Sequence, residues 1–246
     1  MPTLHAIQQN ALDALANAAF GGLGCEDFGI VVLQGARSWN AHQRGGIQLP
    51  HGDATLDLRI AYDEREAPFA CDEAGHELPG LLLSLADEGD FLACAWARMP
   101  HGSPIVGVGV DLASTYDFGD HPASDRFVRL LFTPREHELA PQVVTDDAPL
   151  AYATEFGAKE AAFKSLAHPL RTWYRTQQEE LAFEVRHFAM DSTRTVRGDA
   201  RNAAAQAAME RMGISRIEVN HAEVRGMALV VAKALRAPAE DDGGPR

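Results

Sequence analysis

The chain has 246 residues, of which 46% are hydrophobic, and its formal net charge is −13 at neutral pH. This is the composition of a globular protein with ample core, and its acidic balance argues against general nucleic-acid binding. No apolar run approaches the ~20 residues of a membrane span, and the first residues lack the layout of a secretion signal. The three cysteines are scattered, without metal-type spacing. We therefore expect reduced thiols in a cytoplasmic protein with no nucleic-acid or membrane partner.

Hydrophobic patterning predicts one helix and several strands in the first part of the chain. Residues 3–20 are typical of an amphipathic helix whose apolar face carries Leu4, Ile7, Ala11, Leu15 and Ala18. Strands are predicted at 28–33, 56–62, 81–85 and 91–96. An acidic turn at 87–90 joins the last two strands in a hairpin, and the polar segment 35–53 indicates a loop.

The Pro-His-Gly-Ser-Pro segment at 100–104 is the best candidate for a boundary. After it, residues 105–112 alternate, so that Gly107, Gly109 and Asp111 share one strand face. Two glycines before an aspartate leave room for a ligand or another backbone to approach the carboxylate. An aspartate at a strand end is also a common turn or cap residue, so this feature is weak alone.

The rest of the second part is predicted to contain strands, helices and a second hairpin. Thr133 and Glu136 have capping-box spacing, so a structural role for Glu136 stands at least level with a catalytic one. A strand is predicted at 181–188, a helix at 199–212, and a hairpin at 217–232 with His221 at its turn. The acidic tail at 238–246 is predicted to be disordered. The two hairpins suggest an internal duplication in which Asp87 corresponds to His221.

Segment 154–167, with the sequence T-E-F-G-A-K-E-A-A-F-K-S-L-A, is the most informative stretch of the chain. It is rich in helix formers and ends before Pro169, which cannot continue a helix. One stripe of this helix carries Phe156, Glu160, Phe163 and Ala167. A carboxylate therefore lies on the face that should be buried, where it needs a lysine, an arginine or a metal ion as partner.

Two of the chain's three lysines, Lys159 and Lys164, flank this glutamate. One interpretation is an ordinary Glu160–Lys164 pair on the helix surface, worth about 0.2–0.5 kcal/mol. The other makes Glu160 a metal ligand or a base in a partly dry site, with the lysines supplying charge for a phosphate. The helix alone leaves both interpretations open.

With these residues in view, the chain resembles the 4′-phosphopantetheinyl transferase superfamily. Three blocks carry the resemblance in the family's order: G-V-D-L at 109–112, R-F-x-x-x-L-F-T-P-x-E at 126–136 and F-G-A-K-E-A-A-F-K at 156–164. Residues 106–236 resemble the short holo-acyl-carrier-protein synthases over nearly their full length. Residues 25–105 resemble, more thinly, the first half of the longer surfactin-type members, mainly through the segment that begins G-H-E-L-P-G at residue 75.

The resemblance implies an α+β fold in which two similar α/β halves form a pseudo-dimer. A diverged half at 1–105 would lie on the coenzyme A side, and the half at 106–237 would carry the catalytic motifs before the 238–246 tail. The implied reaction is Mg²⁺-dependent transfer of 4′-phosphopantetheine from coenzyme A to a serine of an acyl or peptidyl carrier protein. Adenosine 3′,5′-bisphosphate would be released. Such an enzyme would serve fatty acid or polyketide biosynthesis, and we expect a monomer, with an oligomer left open.

The resemblance also implies roles for the residues of the charged helix and the glycine-faced strand. Asp111 and Glu160 would hold Mg²⁺ on the pyrophosphate, and Lys164 would neutralise the leaving phosphate. Lys159 would either contribute charge to the substrate or anchor the helix. Either Glu160 or a water on the metal would take the proton of the carrier serine.

Several positions depart from the family's pattern. Asp87 stands where a histidine usually contacts the coenzyme's phosphates, and an acid there would repel them. His76 replaces the lysine of the family's G-K-P block, and Ala113 replaces an acid that many longer members carry. His221 lies in the second half's equivalent of the histidine turn, where it serves either the turn itself or a neighbouring protomer's site.

Two classes of function therefore compete: an active transferase and a degenerate, non-catalytic homologue that acts as a binding or scaffolding subunit. The intact Asp111, Glu160 and Lys164 favour the first, and Asp87 with His76 favours the second. Carrier proteins of the family are acidic, so this acidic chain needs a local basic patch to meet them. The candidates are Arg126, Arg129 and Arg135.

Overall fold

The computed structural model describes residues 5–6, 9–22, 25, 27–35, 45–51, 54–119, 126–137, 148–191, 195–198 and 203–236. The predicted tail at 238–246 lies outside these residues. The strands are β1 (His5–Ala6), β2 (Asp27–Gln34), β3 (Gly45–His51), β4 (Ala54–Tyr62), β5 (Pro68–Cys71), β6 (Leu81–Glu88), β7 (Phe91–Arg98), β8 (Ile105–Ser114), β9 (Phe188–Met190), β10 (Thr195–Gly198), β11 (Ile214–Val224) and β12 (Met227–Arg236). The α-helices are α1 (Gln9–Phe20), α2 (Tyr116–Gly119), α3 (Arg126–Leu131), α4 (Ala148–Ser165), α5 (Ala167–Gln177) and α6 (Ala203–Arg211), and a 3₁₀ turn spans Val185–His187. The α+β fold class predicted from the sequence is confirmed.

The strands form three antiparallel sheets. Their orders are β1-β2-β7-β6, β8-β12-β11-β10-β9 and β3-β4-β5. Within the first two sheets, the strands β2-β7-β6 and β8-β12-β11 follow the same order: the first strand of more than two residues in each half, then the last, then the one before the last. The two hairpins noticed in the sequence, β6–β7 and β11–β12, occupy corresponding positions in this pattern.

The two halves differ in what covers the outer face of each sheet. In the second half, α4 packs on β8 and β12, and its alanines enter a core with Val230 and Phe188. In the described part of the first half, the small sheet β3-β4-β5 provides the cover instead. Its Leu58, Ile60 and Ala70 enter a core with Trp96. The halves therefore share a strand pattern but are not alike in their outer layers.

The inner faces of the two larger sheets meet in a third apolar core. Val108, Val110 and Leu112 of β8 face this core, as the alternation of the sequence predicts, and α1 contributes Leu12 and Phe20. The buried hydroxyl of Ser84 on β6 accepts a hydrogen bond from the Val110 backbone N–H at 3.0 Å. Strands β6 and β8 therefore lie side by side where the halves meet.

The glycine face of β8 lies directly against α4. A Cβ atom on Gly107 would lie 1.8 Å from the Ser165 carbonyl oxygen, and one on Gly109 would lie 1.9 Å from that of Ala161. Glycine is therefore required at both positions for the helix backbone to reach the strand. The sequence analysis left open whether a ligand or another backbone approaches the glycine face. In the structure, the backbone of α4 lies against it.

Some predicted elements are wrong. Helix α1 spans Gln9–Phe20, and its buried side chains include Leu12 and Ala16 rather than the predicted Ala11 and Ala18, which are exposed. Leu4 and Ile7 lie outside the described residues. The predicted loop contains β3, and no strand fills 181–188, where the chain is irregular before the 3₁₀ turn. The apolar face predicted for α1 was partly wrong because alanine occurs on exposed and buried faces alike and therefore carries little information about burial.

The helical segment does not stop at Pro169. Helix α4 ends at Ser165, and α5 begins at once with Ala167, so that Pro169 lies in the first turn of a new helix. Proline is tolerated there because the backbone N–H of that turn needs no helical partner. The predicted stripe also differs: Glu160 and both phenylalanines of the stripe are only half-buried, and the face against β8 consists of small residues.

Candidate active site between the two halves

Asp111 lies on β8 beneath helix α4. Its side chain is buried, and its Oδ1 accepts a hydrogen bond from the Lys164 Nζ at 2.6 Å. Gly157 is the helix residue beside it: a Cβ atom there would lie 2.9 Å from Val230 Cγ2 and 3.5 Å from Asp111 Oδ2. The glycine is therefore required by Val230 of β12, and the helix backbone passes close to the second carboxylate oxygen of Asp111.

Burial dominates the electrostatics of both carboxylates. Desolvation raises the pKa of Asp111 to about 6, Lys164 opposes that rise, and Glu160 and Glu88 add to it. Burial likewise raises the pKa of Glu160, again against the effect of Lys164. Each carboxylate is thus held in a partly dry environment in which one ammonium group offsets the cost of charge. The hydrogen bond of Lys164 goes to Asp111 on the strand, so a surface pair with Glu160 alone does not describe this lysine.

The donor set suits a hard divalent cation. Asp111 and Glu160 offer carboxylate oxygens, the ligands that Mg²⁺ prefers, and the charge of Glu160 on α4 affects the protonation of Asp111. Among the described residues, no group of three His, Cys, Asp or Glu side chains could hold a metal ion. An ion bound here would therefore need oxygens from a ligand's phosphates and from water, which is how Mg²⁺ is commonly held.

A cleft of about 630 Å³ adjoins this ion pair. Its walls are β6, the end of α4, α5, the segment 181–187 and the turn between β4 and β5. Lys164 and Phe163 line it from the second half, and Asp87 and Tyr62 from the first. The ammonium that neutralises Asp111 therefore also faces the space between the halves.

Lys159 lies on a different side of α4 and is completely buried. Its Nζ donates to Glu136 Oε2 at 2.8 Å and to the Leu131 carbonyl oxygen at 2.5 Å. Glu136 closes the predicted capping box with Thr133, and its Oε1 accepts from the Met190 backbone N–H at 3.1 Å. Of the two roles expected for Lys159, helix anchoring is the one that its contacts match. The capping interpretation of Glu136 is also borne out.

The remaining candidate residues lie apart from this ion pair, except Asp87. His76 is 80% exposed in the turn before β6, with Nδ1 3.3 Å from Asp72 Oδ2, and it is not among the cleft's lining residues. Arg135 is exposed in the helical turn at 134–137. His221 is not at a hairpin turn, as predicted, but within β11, opposite Val230 of β12. Val230 is in turn opposite Asp111, so the three side chains share one sheet face.

The sequence analysis missed an ion network that joins the halves. Glu77, from the first half, accepts hydrogen bonds from Arg171 at 2.6 Å and Arg175 at 2.9 Å, and it lies 3.1 Å from His168 Nδ1. The hydrogen bond with His168 and the two arginines hold the pKa of Glu77 down, at about 2. The second partner of Arg171 is Asp63, at 3.0 Å. This network could not be predicted from the sequence, because helix α5 was not predicted.

The fold and the site together define an α+β protein with a charged cleft between two halves. Residues 107–210 match the model of the 4′-phosphopantetheinyl transferase superfamily. The resemblance drawn from the three sequence blocks is confirmed for that segment. None of the helices in the described part of the chain is long and apolar enough to cross a membrane.

Two solved structures show similarity to the chain. One is a holo-[acyl-carrier-protein] synthase from Neisseria meningitidis, with 20% identity, a TM-score of 0.39, and coverage of 54% of this chain and 99% of that one. The other is a holo-ACP-synthase from Plasmodium yoelii, with 17% identity, a TM-score of 0.37, and coverage of 54% of this chain and 96% of that one. No curated protein sequence matches the chain.

Proposed function

We propose that this protein transfers 4′-phosphopantetheine from coenzyme A to a serine of an acyl or peptidyl carrier protein, in the cytoplasm and with Mg²⁺. The observation that carries the proposal is the ion pair of Asp111 and Lys164 beside Glu160, at the edge of a cleft between the halves. The superfamily assigned to residues 107–210 supports the same class of reaction.

Each charged side chain of the site has a part in this reaction. Asp111 and Glu160 would hold Mg²⁺, which when bound would neutralise charge on the coenzyme's pyrophosphate. Lys164, which faces the cleft, would bind a phosphate oxygen of the leaving adenosine 3′,5′-bisphosphate. Asp111, Glu160 and Lys164 would thus all act on the pyrophosphate whose bond breaks.

The chemical step exchanges the phosphoanhydride bond of the coenzyme's pyrophosphate for a phosphate ester bond to the carrier serine. The carrier serine oxygen would attack the phosphorus next to the pantetheine arm, and the bond from that phosphorus to the bridging oxygen would break. The serine proton would pass to Glu160 or to a water of the site, while the leaving phosphate takes the electron pair. Burial raises the pKa of Glu160, which makes its carboxylate a stronger base toward the serine proton.

Helix α3 offers a surface for an acidic carrier protein. Arg126 and Arg129 are exposed there, and Leu130 beside them is 53% exposed. The Leu131 carbonyl at the end of α3 is bonded to Lys159, the residue before Glu160. This patch is therefore fixed relative to the helix that carries the site, which suits a protein that must present a serine to it.

Mass spectrometry tests the proposal most directly. A panel of apo carrier proteins would be incubated with the protein, coenzyme A and Mg²⁺, and we expect one carrier to gain the mass of one phosphopantetheine arm. The Glu160→Ala variant should lose the transfer, whereas Glu223→Ala, at an exposed strand position, should keep it. Transfer by both variants alike would refute the role of Glu160.

A second candidate function is a non-catalytic homologue that binds members of a carrier-protein pathway. One observation favours it: Asp87 lines the cleft, where its charge would repel a phosphate. This candidate predicts no mass gain on any carrier and no stabilisation of the fold by coenzyme A with Mg²⁺. Coenzyme A binding without transfer would instead indicate that the correct carrier was missing.

A further inference from the structure

A smaller compartment of about 250 Å³ opens beside the cleft. It shares with the cleft five lining residues, Tyr62, Asp63, Arg65, Leu170 and Arg171. Glu64, Phe69, Tyr174 and Arg175 complete its wall. Three aromatic rings, three guanidinium groups and the carboxylates of Asp63 and Glu64 therefore surround a space that is continuous with the cleft.

We propose that this compartment, called here the nucleotide annex, binds the purine nucleotide end of coenzyme A. The adenine would stack on the ring of Tyr174, and the 3′-phosphate would bind Arg65 and Arg175. The proposal rests on the proposed function, since it assigns the end of the coenzyme that lies away from the transferred arm. It also explains how a phosphate-rich ligand could bind although Asp87 and His76 replace the residues expected to meet it.

Hydrogen bonds within the protein order the turn that carries Arg65. Asp63 Oδ1 accepts hydrogen bonds from the backbone N–H groups of Arg65 and Ala67, both at 2.9 Å. Asp63 Oδ2 accepts from Arg171 Nε at 3.0 Å, which ties the turn to helix α5. Arg65 and Tyr174 therefore come from different halves but are fixed to one another. Such pre-ordering lowers the entropy cost of binding.

The inner wall of the annex is rigid and its charge is already compensated. The side chain of Arg171 is only 6% exposed, it is bound to Asp63 and Glu77, and its guanidinium lies 4.8 Å from the Phe69 ring centroid. The two ion pairs and the ring contact already provide partners for the Arg171 guanidinium, so a move toward a ligand would break them. We therefore assign Arg171 to the wall and not to the phosphate.

The outer two arginines can exchange partners. Arg65 lies 3.5 Å from Glu180, whose side chain is 81% exposed, and its guanidinium lies 5.2 Å from the Tyr174 ring centroid. Arg175 is 59% exposed and uses one nitrogen for Glu77, which leaves its other donors available. Solvent-exposed ion pairs are weak, so a doubly charged phosphate can replace Glu180 as the partner of Arg65. Arg65 would then leave the face of Tyr174 to the base.

Binding measurements with three ligands test the annex. We would titrate the protein with coenzyme A, 3′-dephospho-coenzyme A and adenosine 3′,5′-bisphosphate by calorimetry. The wild type should prefer coenzyme A over the dephospho form by about tenfold or more, as expected for a charge-assisted contact. Arg65→Ala and Arg175→Ala should each reduce that preference, and Tyr174→Ala should weaken all three ligands by about tenfold through lost stacking.

Matched controls keep the result specific. Arg59→Ala removes an exposed arginine of β4 that pairs with Glu73, and Tyr116→Ala removes a tyrosine that is 86% exposed outside the annex. Both should leave the three affinities unchanged, and circular dichroism should show that every variant is folded. An unchanged preference for the 3′-phosphate in folded Arg65→Ala and Arg175→Ala would overturn the annex.

The annex and the proposed function can fail separately. If adenosine 3′,5′-bisphosphate binds with the expected dependence on Tyr174 and Arg65 but no carrier of the panel gains the arm, the annex stands, and the transfer has to be sought with a different carrier. If transfer occurs while the variants bind all ligands like the wild type, the annex is wrong and the transferase stands. Absence of binding by all three ligands to the wild type would overturn both.

Discussion

The Nζ atom of Lys164 lies 2.6 Å from Oδ1 of Asp111, so the only described lysine that lines the cleft also neutralises the buried carboxylate of β8. The two residues come from a helix and a strand that glycines allow to touch. The ion pair therefore depends on the close packing of α4 on β8. Either residue alone would leave a buried or half-buried charge without its main partner.

This pairing predicts a measurable coupling between Asp111 and Lys164. Lys164→Met should lower the free energy of unfolding by about 1 kcal/mol at neutral pH, since it leaves the buried carboxylate uncompensated while the lysine itself is partly solvated. The double variant Asp111→Asn/Lys164→Met should lose less than the sum of the single changes. Urea unfolding of all four proteins measures this, and strictly additive losses would contradict the coupling.

The contacts of Lys159 predict a different outcome from those of Lys164. Lys159→Met leaves Glu136 buried without its cation, and we expect a loss of about 3–5 kcal/mol in the free energy of unfolding. Urea unfolding again gives the number. A normal stability combined with lost coenzyme A binding would instead show that Lys159 contacts the ligand, the role that its burial argues against.

The sequence predicted the parts of the fold that rest on strong alternation. Strand β8 shows a clean change of face at every residue, and each hairpin has two apolar strands around a polar segment, so these strands could be predicted, although the turn of the second hairpin lies beyond His221. The alanine-rich faces of α1 and α4 could not, because alanine favours helix without distinguishing its inner from its outer side. Helix α5 was hidden by Pro169, which stops one helix but fits the first turn of the next.

For the candidate site, local spacing placed Glu160 and Lys164 on one helix and isolated Asp111 on a strand. That the Lys164 amine meets Asp111 rather than Glu160 depends on how closely the strand and helix pack, which two glycines decide. The Glu77–Arg171 network joins residues 94 positions apart, and no periodicity connects them. Contacts of this kind follow from the assembled fold and could not be derived from the chain in order.

Glu155 predicts a pH dependence of stability. It is buried in α4, its Oε2 has no hydrogen-bond partner, and desolvation, with the nearby charge of Glu136, raises its pKa to about 8. The unfolded chain releases this proton near pH 4.5 but the folded chain keeps it, so stability should fall as the pH rises from about 4.5 to about 8.

Comparing the wild type with Glu155→Gln isolates this effect, because the amide keeps the shape and does not titrate. The wild type should lose stability relative to the variant by an amount on the order of a few kcal/mol between pH 4.5 and pH 8, with no further change above that range. Thermal or urea unfolding at half-unit pH steps gives the curve. Parallel curves for the two proteins would show that Glu155 is neutralised by a partner at all pH values.

Arg135 predicts an effect on carrier binding alone. It is exposed in the turn at 134–137, beside the capping box that Lys159 and Glu136 hold in place, and it is not among the residues that line the cleft or the annex. Reversal of its charge in Arg135→Glu should raise the KM for an acidic carrier protein about threefold to tenfold. This increase in KM should be larger at low salt, because a charge at the rim of an interface acts mainly on the rate of encounter. Coenzyme A affinity should not change.

The matched control for this change is Arg236→Glu, which reverses an exposed charge at the end of β12, opposite Ile214 of β11 and six residues beyond Val230, the residue opposite Asp111. Steady-state kinetics at two salt concentrations would compare the variants. If both raise the carrier KM equally, the chain's overall charge governs the encounter, and the turn at 134–137 is not a docking surface. If only Arg135→Glu does, the carrier approaches over this turn, which Glu136 and Lys159 join to the helix that holds Glu160.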